Sequence, residues 1–302
     1  MGNLFPCVPS FHTWPSSFHA ALCVTWDVDD EAPYYSRGLS SHHDVSEIEQ
    51  RQYGIRRAVP AIFSMLQEAG IPASFYVPAY IAKQWPQVVQ TLTTYGYEIG
   101  AHGFLHEPVR NLGIEDEARI IKEAVDVLGS ISHQSILGYR TPSWQFNEWT
   151  ADLLCRNGVL YDSSLMGDHS VYQLAIETGQ TLFEIPIHWN LDDVEFWGHT
   201  HVTRSHTISA PSTVYEIWTA ELDGIVQRGG VCVLTLHPHV SGRPGLLSVV
   251  QRFIRYAKSL SALWITTPRE IAQYVRQNAL TVPTVRLAST SPDERYNPSS
   301  GR

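Results

Sequence analysis

Two histidines four residues apart, His102 and His106, follow directly on the apolar run Tyr97-Glu-Ile-Gly-Ala101. If residues 102–106 turn through one helical turn, both imidazoles project from one face and can converge on a single ion. Neutral imidazole is a common ligand for zinc and neighbouring divalent metals. Two ligands do not hold a metal, and a third should be a carboxylate, which offsets charge. The stretch Asp27-Val-Asp29-Asp30, directly after the apolar run Ala20 to Trp26, offers it. Taken singly, each cluster also has a plain reading: a chance pair in a chain with 14 His, and a solvated turn continued by Glu31. Position separates them from chance. Both begin where a buried-strand pattern ends, the rim at which α/β barrels gather their chemistry.

The same rim collects further reactive side chains. One apolar run leads into Gly138-Tyr-Arg140-Thr-Pro142-Ser-Trp144, another into His188-Trp189-Asn-Leu-Asp192-Asp193, and a third into Leu236-His237-Pro238-His239. Alone, Arg140 could serve a surface ion pair, Trp144 could fill the core and His237 could sit in a capped turn. On one rim they form a candidate site.

The elements that must position these residues are short apolar runs at Ala20 to Trp26, Ala73 to Val77, Tyr97 to Ala101, Ile136 to Tyr139, Leu182 to Ile187, Val231 to Leu236 and Leu263 to Thr266. Helix-like periods lie between them, near 55–69, 84–95, 114–128, 149–157, 212–227 and 246–260, with Gly70, Gly96, Gly129 and Gly158 placed as C-caps. Alternating strand and helix predicts an α/β fold, a distorted (β/α) barrel of about seven parallel strands. The expected organisation is an N-terminal extension over 1–19, a barrel over 20–280 and a disordered Ser/Pro/Thr-rich tail over 281–302. The aromatic-rich segment Asp162 to His206 breaks the rhythm and reads as long loops folding over the barrel mouth.

With 302 residues, of which 43% are hydrophobic, the chain can bury a large single core. A net charge of −9 without a Lys/Arg run argues against nucleic acid or an anionic membrane surface as partner, and favours a small neutral or cationic one. A homo-oligomer is compatible with this composition. Cys7, Cys23, Cys155 and Cys232 have no paired spacing, so neither a disulfide framework nor a thiolate zinc site is indicated. The N-terminal residues show no signal-peptide pattern and no run approaches a bilayer span, so the expectation is a cytoplasmic protein.

The motifs together resemble the polysaccharide deacetylase family, over roughly residues 20–275. His102-Gly-Phe-Leu-His106 is similar to its H-x-x-x-H motif, Gly138 to Trp144 to its R-x-P-x-W-like motif, and Leu234-Thr-Leu-His237-Pro to its late Leu-x-His motif. The first family motif usually reads T-F-D-D-G. Here it is Thr25-Trp-Asp27-Val-Asp29-Asp30, which resembles the branch of intracellular peptidoglycan-deacetylase-like proteins, cyclic imide hydrolases and allantoinases. So do the segments Tyr161 to Met166, His188 to Asp193 and His237 to Pro244.

The resemblance implies metal-dependent hydrolysis of a non-peptide C–N amide bond in a saccharide or small N-acyl substrate. Asp27 would be the base, Arg140 the residue orienting it, and His237 the acid. Asp29, His102 and His106 would hold one divalent ion, zinc foremost, with Asp30 the alternative ligand if the loop is shifted. Trp144 and Trp189 would wall the pocket, and Asp192 or Asp193 would bind substrate N–H or hydroxyl groups. Ring opening of a cyclic amide or imide is the competing activity, and a non-catalytic metal- or saccharide-binding relative the competing class.

Overall fold

The computed structural model describes residues 14–16, 18–38, 44–176, 179–199 and 208–287. Its centre is a curled, mostly parallel sheet. Seven strands follow one another in the spatial order β8 (Gly230–Leu236), β1 (Ala20–Asp27), β2 (Ser74–Val77), β3 (Glu98–Ala101), β4 (Gly138–Tyr139), β5 (Tyr161–Asp162) and β7 (Thr181–Glu184), each parallel to its neighbour. β6 (Tyr172–Ala175) runs antiparallel on the outer edge of β7, β10 (Thr284–Val285) adds to β6, and β9 (Leu263–Thr266) pairs the first half of β1. The ring is almost closed: beyond β7 the chain reaches back to β8, where Asp192 bridges Thr235.

β1 and β8 are buried along their whole length, which is why both read as nearly unbroken apolar runs rather than alternating ones. Thr25, the polar exception in β1, donates its hydroxyl to the Leu234 carbonyl at 2.9 Å. Amphipathic helices cover the outside. The helix Ile114–Ser132 turns Ile120, Ile121, Ala124 and Leu128 inward, and Gly70, left-handed at φ 61°, closes the helix Val59–Ala69 as expected. Gly129 does not cap. It lies inside the helix, which ends instead at a left-handed His133.

Two other expectations change. Besides the run at Leu182 to Ile187, β5 and β6 also draw on Asp162 to His206, and among its described residues those from 189 onward line the barrel mouth. The tail does not begin at 281: Val282 is buried and Thr284–Val285 pairs β6. Residues 288–302 lie outside the described ones, as do 1–13 of the N-terminal extension. Of the rest of that extension, Trp14 is buried and packs edge-on against Trp264. Among the described residues the cysteines, Cys23, Cys155 and Cys232, are free and buried, and no helix is long and apolar enough to cross a membrane.

The register sets the site. Asp27 pairs Tyr76, Val77 pairs Ala101, Ala101 pairs Tyr139, Tyr139 pairs Asp162, and Trp26 pairs Leu236. The carboxyl ends of the strands are therefore level, and the residues just beyond them share one rim.

Candidate active site

Asp29 stands between the two histidines. One oxygen or ring nitrogen from each of Asp29, His102 and His106 falls within 4.8 Å of the others, with His102 Nε2 3.4 Å from Asp29 Oδ1 and His106 Nε2 3.3 Å from Asp29 Oδ2. The loop that presents the rings is not a helical turn. Gly103 and His106 both take positive φ, 70° and 55°, and the Glu107 carboxylate accepts the amides of Phe104 and Leu105 at 3.1 and 2.9 Å. The rings still meet, their centroids 4.9 Å apart.

His102 Nδ1 lies 2.7 Å from the Arg140 carbonyl. A carbonyl only accepts, so Nδ1 carries the hydrogen and Nε2 is left to face Asp29, the arrangement that orients metal-ligating histidines. Burial opposes charge on Asp29, yet the two imidazoles hold its carboxyl well below the usual range. Burial also lowers His106, whereas Asp27 and Asp29 outweigh burial at His102 and raise it. Asp29 Oδ1 is buried without a hydrogen-bond partner. A carboxylate with one orphaned oxygen, set between two ring nitrogens, fits a divalent cation, and N/O donors of this kind suit zinc without requiring redox chemistry.

Asp30 goes elsewhere. At φ 40° it turns away and accepts the Ile55 amide at 2.9 Å, at a π-helical turn, Gly54–Ala58. A Cβ on Gly54 would come within 2.1 Å of Asp30 Oδ1. Burial, then the neighbouring Glu31 charge, pushes the Asp30 carboxyl well up, so Asp29 rather than Asp30 sits with the imidazoles.

Asp27 and Arg140 form a buried ion pair, Nη1 to Oδ1 at 2.7 Å. The guanidinium is fixed on every side: Nη1 also donates to the Thr25 hydroxyl, Nε to the Ser163 carbonyl and Nη2 to the Ser163 hydroxyl, at 2.9 to 3.1 Å. Its carbon lies 4.1 Å from the centroid of the Tyr76 ring. Behind it, Asp162 and Glu184 face each other across β5 and β7. Asp162 Oδ2 and Glu184 Oε2 have no other partner. Burial first, and at Glu184 the Asp162 charge next, raises both carboxyls, Asp162 to about 7, the direction expected of two buried carboxyls that hold a proton between them.

His237 closes the far side. Its Nδ1 donates to Asp193 Oδ1 at 2.7 Å, while Asp193 Oδ2 accepts the amides of His237 and Ser241 at 2.9 and 3.2 Å. Asp193, expected to touch substrate, is fully buried with both oxygens engaged, so it positions His237 instead. Burial works against charge on the ring, but Asp193, Asp192 and Asp29 raise it well above the ordinary imidazole value. Nε2 points back into the site, 3.7 Å from Asp29 Oδ2. Asp192 does line the cavity. Burial lifts its carboxyl to about 7.

These residues floor one cavity of about 1150 Å³. Trp144 and Trp189 wall it with ring centroids 4.3 Å apart; Trp189 is 43% exposed. Sequence reasoning missed the His237–Asp193 pairing and the buried His239 in the wall. For His239 the only signal was its place in the His237-Pro-His239 stretch.

The polysaccharide deacetylase family model matches residues 51–161, a span holding His102, His106, Arg140 and Trp144 but neither Asp27, Asp29 nor His237. A crystal structure from Mycobacterium smegmatis assigned to the polysaccharide deacetylases is 31% identical, with 94% of this chain and 99% of that one covered at a TM-score of 0.88. The chain belongs to the polysaccharide deacetylase family. A peptidoglycan deacetylase of Helicobacter pylori is 23% identical over 247 residues, 73% of this chain and 84% of that protein. An allantoinase crystal structure shares the fold, with 22% identity, 91% and 95% coverage and a TM-score of 0.80. In this member of the polysaccharide deacetylase family the strand ends carry a paired carboxylate, a three-donor cluster and an oriented imidazole around one space.

Proposed function

We propose that this chain is a metal-dependent hydrolase of a non-peptide C–N amide bond, removing the acyl group from a saccharide or a small N-acyl substrate. One observation carries the reading: the Asp27–Arg140 pair, the Asp29–His102–His106 cluster and the His237–Asp193 pair all line or support a single cavity. An amide carbonyl is a poor electrophile, so hydrolysis near neutral pH needs an activated water, a polarised carbonyl and a protonated leaving nitrogen. A divalent ion, zinc in this reading, held by Asp29, His102 and His106 supplies Lewis acidity and eases deprotonation of water.

The chain's own residues do the remaining work. Asp27 takes the water proton, its carboxylate aimed by Arg140. His237 delivers a proton through Nε2 to the nitrogen as the C–N bond breaks, its tautomer fixed by Asp193. Water thus adds to the carbonyl carbon, the amine leaves protonated, and the acyl group departs as a carboxylic acid. Trp144 and Trp189 exclude bulk water from one wall, and Asp192 can accept a substrate N–H or hydroxyl.

Opening of a cyclic amide is the second reading, favoured by the Asp27-Val-Asp29 spacing. Acetate release from soluble chitooligosaccharides, assayed beside ring opening of hydantoin, dihydrouracil, succinimide and allantoin, separates the two. The Asp27→Asn variant should keep its metal and lose most turnover on whichever substrate responds. Wild-type turnover in that variant would remove Asp27 from the chemistry.

A further inference from the structure

We infer that the substrate carries an anionic group, a carboxylate or its equivalent, away from the scissile amide, and that Arg37, Arg51, Arg110 and Arg243 receive it. The inference rests on the amide-hydrolase reading for the scissile bond and on the cavity alone for the anion. Among the described residues, the lysine and arginine side chains lining the cavity are these four arginines, with no lysine among them. The acids that line it are Asp27, Asp29, Asp192 and Glu195. Asp27 is committed to Arg140, Asp29 to the histidines and Asp192 to the neighbourhood of His237. Arg51 is paired with Glu47 behind the wall, and among the described lining acids Glu195 is left to offset the other three guanidinium groups, in a chain whose net charge is −9. The global charge therefore misleads about the partner, because a cleft focuses its own local field.

The arginines are held as a receptor rather than as surface ion pairs. Arg51 is 8% exposed. It gives Nε to the buried Glu47 at 2.8 Å, and this is the only bond found for its guanidinium among the described residues. Both of its NH2 groups are thus left for the cavity. Arg243 lies flat on the Tyr53 ring at 3.7 Å and donates Nη2 to the Gln50 carbonyl at 3.3 Å. Arg37 donates to the Ser143 hydroxyl at 3.1 Å, next to Trp144. Crowding by the surrounding protein, then the charges of Arg51 and Arg110, weakens the hold of Arg37 on its proton. Gathering like charges this way is unfavourable until an anion joins them, and a planar guanidinium fork matches a carboxylate bidentately where an ammonium does not.

The test uses the full-length, zinc-loaded chain and calorimetric binding of two matched pairs: hydantoin-5-acetic acid against hydantoin-5-acetamide, and N-acetyl-β-alanine against its carboxamide. The charged member of a pair should bind at least about tenfold tighter. The gap should shrink with added salt and survive chelation of the metal, which excludes direct ligation of the ion. Arg37→Gln/Arg110→Gln, at two exposed positions whose loss leaves the core intact, should close the gap and leave binding of the neutral member unchanged, with an unshifted Tm showing that the fold is retained. Equal or tighter binding of the neutral members, an undiminished gap in the double variant, a gap that vanishes on chelation, or no binding by either pair overturns the inference. Absence of turnover on every amide, with the charge preference intact, would instead overturn the hydrolase reading.

Discussion

Replacing Arg140 by Met tests the centre of the site through stability rather than activity. The Met side chain follows the stem of Arg140 but removes a guanidinium that makes four hydrogen bonds and lies on Tyr76. Its main loss is the counter-charge of Asp27, a carboxylate 1% exposed. Breaking a buried ion pair from one side costs about 3–5 kcal/mol, because the surviving charge is stranded. Set against a total stability of about 5–15 kcal/mol, that leaves the variant close to unfolding. Asp27→Asn should cost less, since Arg140 keeps Ser163 and Thr25 as partners. The double variant strands no charge and should recover about 2–3 kcal/mol relative to the sum of the singles. Urea unfolding of the chelated protein, followed by tryptophan fluorescence and by circular dichroism, measures all four corners of this cycle. A cost below about 1 kcal/mol for Arg140→Met, or a cycle additive within about 0.5 kcal/mol, would refute the claim that the pair is desolvated and mutually dependent.

Metal analysis should find about one divalent ion per chain, removed by His102→Ala or His106→Ala and weakened by Asp29→Asn. Asp30→Asn should leave metal content intact and lower only stability, through the Ile55 amide it caps; loss of metal there would move the ligand by one residue. Asp193→Ala should lower kcat by about 10²–10⁴-fold while metal content stays full, since it removes the partner that orients His237 and receives the His237 and Ser241 amides but no member of the three-donor cluster; an unchanged kcat would argue against His237 as acid. For Asp162, whose folded carboxyl is raised to about 7, the unfolded chain gives up its proton first. The contribution of this carboxyl should therefore be fullest at and below about pH 4 and fall by on the order of 3 kcal/mol as the pH rises to about 7, with little change above. Thermal melts from pH 5 to 8 should show Asp162→Asn flattening this slope, and an equal slope in the variant would rule out the shared proton.

What the sequence disclosed follows from where its signals are local. β1 and β8 were legible because a strand buried on both faces must be apolar throughout, and the residues after them were legible as a rim. β5 escaped because two residues, Tyr161–Asp162, carry no periodicity, and an acid at a strand end, paired with Glu184 across the sheet, reads in sequence as a turn. The convergence of His102 and His106 followed from their spacing, but through a different backbone path, since Gly103 and the Glu107 carboxylate replace the helical turn. Partnerships across the fold had no local signature. Asp193 reaches His237 over 44 residues, and the four cavity arginines come from three separate crossings of the barrel mouth.

The incomplete ring has a consequence for motion. Among the described residues, the main chain of β8 meets the chain leaving β7 through the Asp192–Thr235 bridge and the Asp193 amide on the Thr235 carbonyl at 3.2 Å, and beyond the strand end the contact rests on the Asp193 carboxylate. The imidazole and the carboxylate that orients it sit on opposite banks of that gap. A fluctuation that parts the banks, even briefly and far short of global unfolding, separates them, so the open form lacks its proton donor while the rest of the rim stays assembled. Segments joined by so few backbone bonds open at low free-energy cost. The amide protons of Asp193 and His237 should then exchange with deuterium at a common rate, faster than those of β1, and a ligand spanning the gap should slow both together.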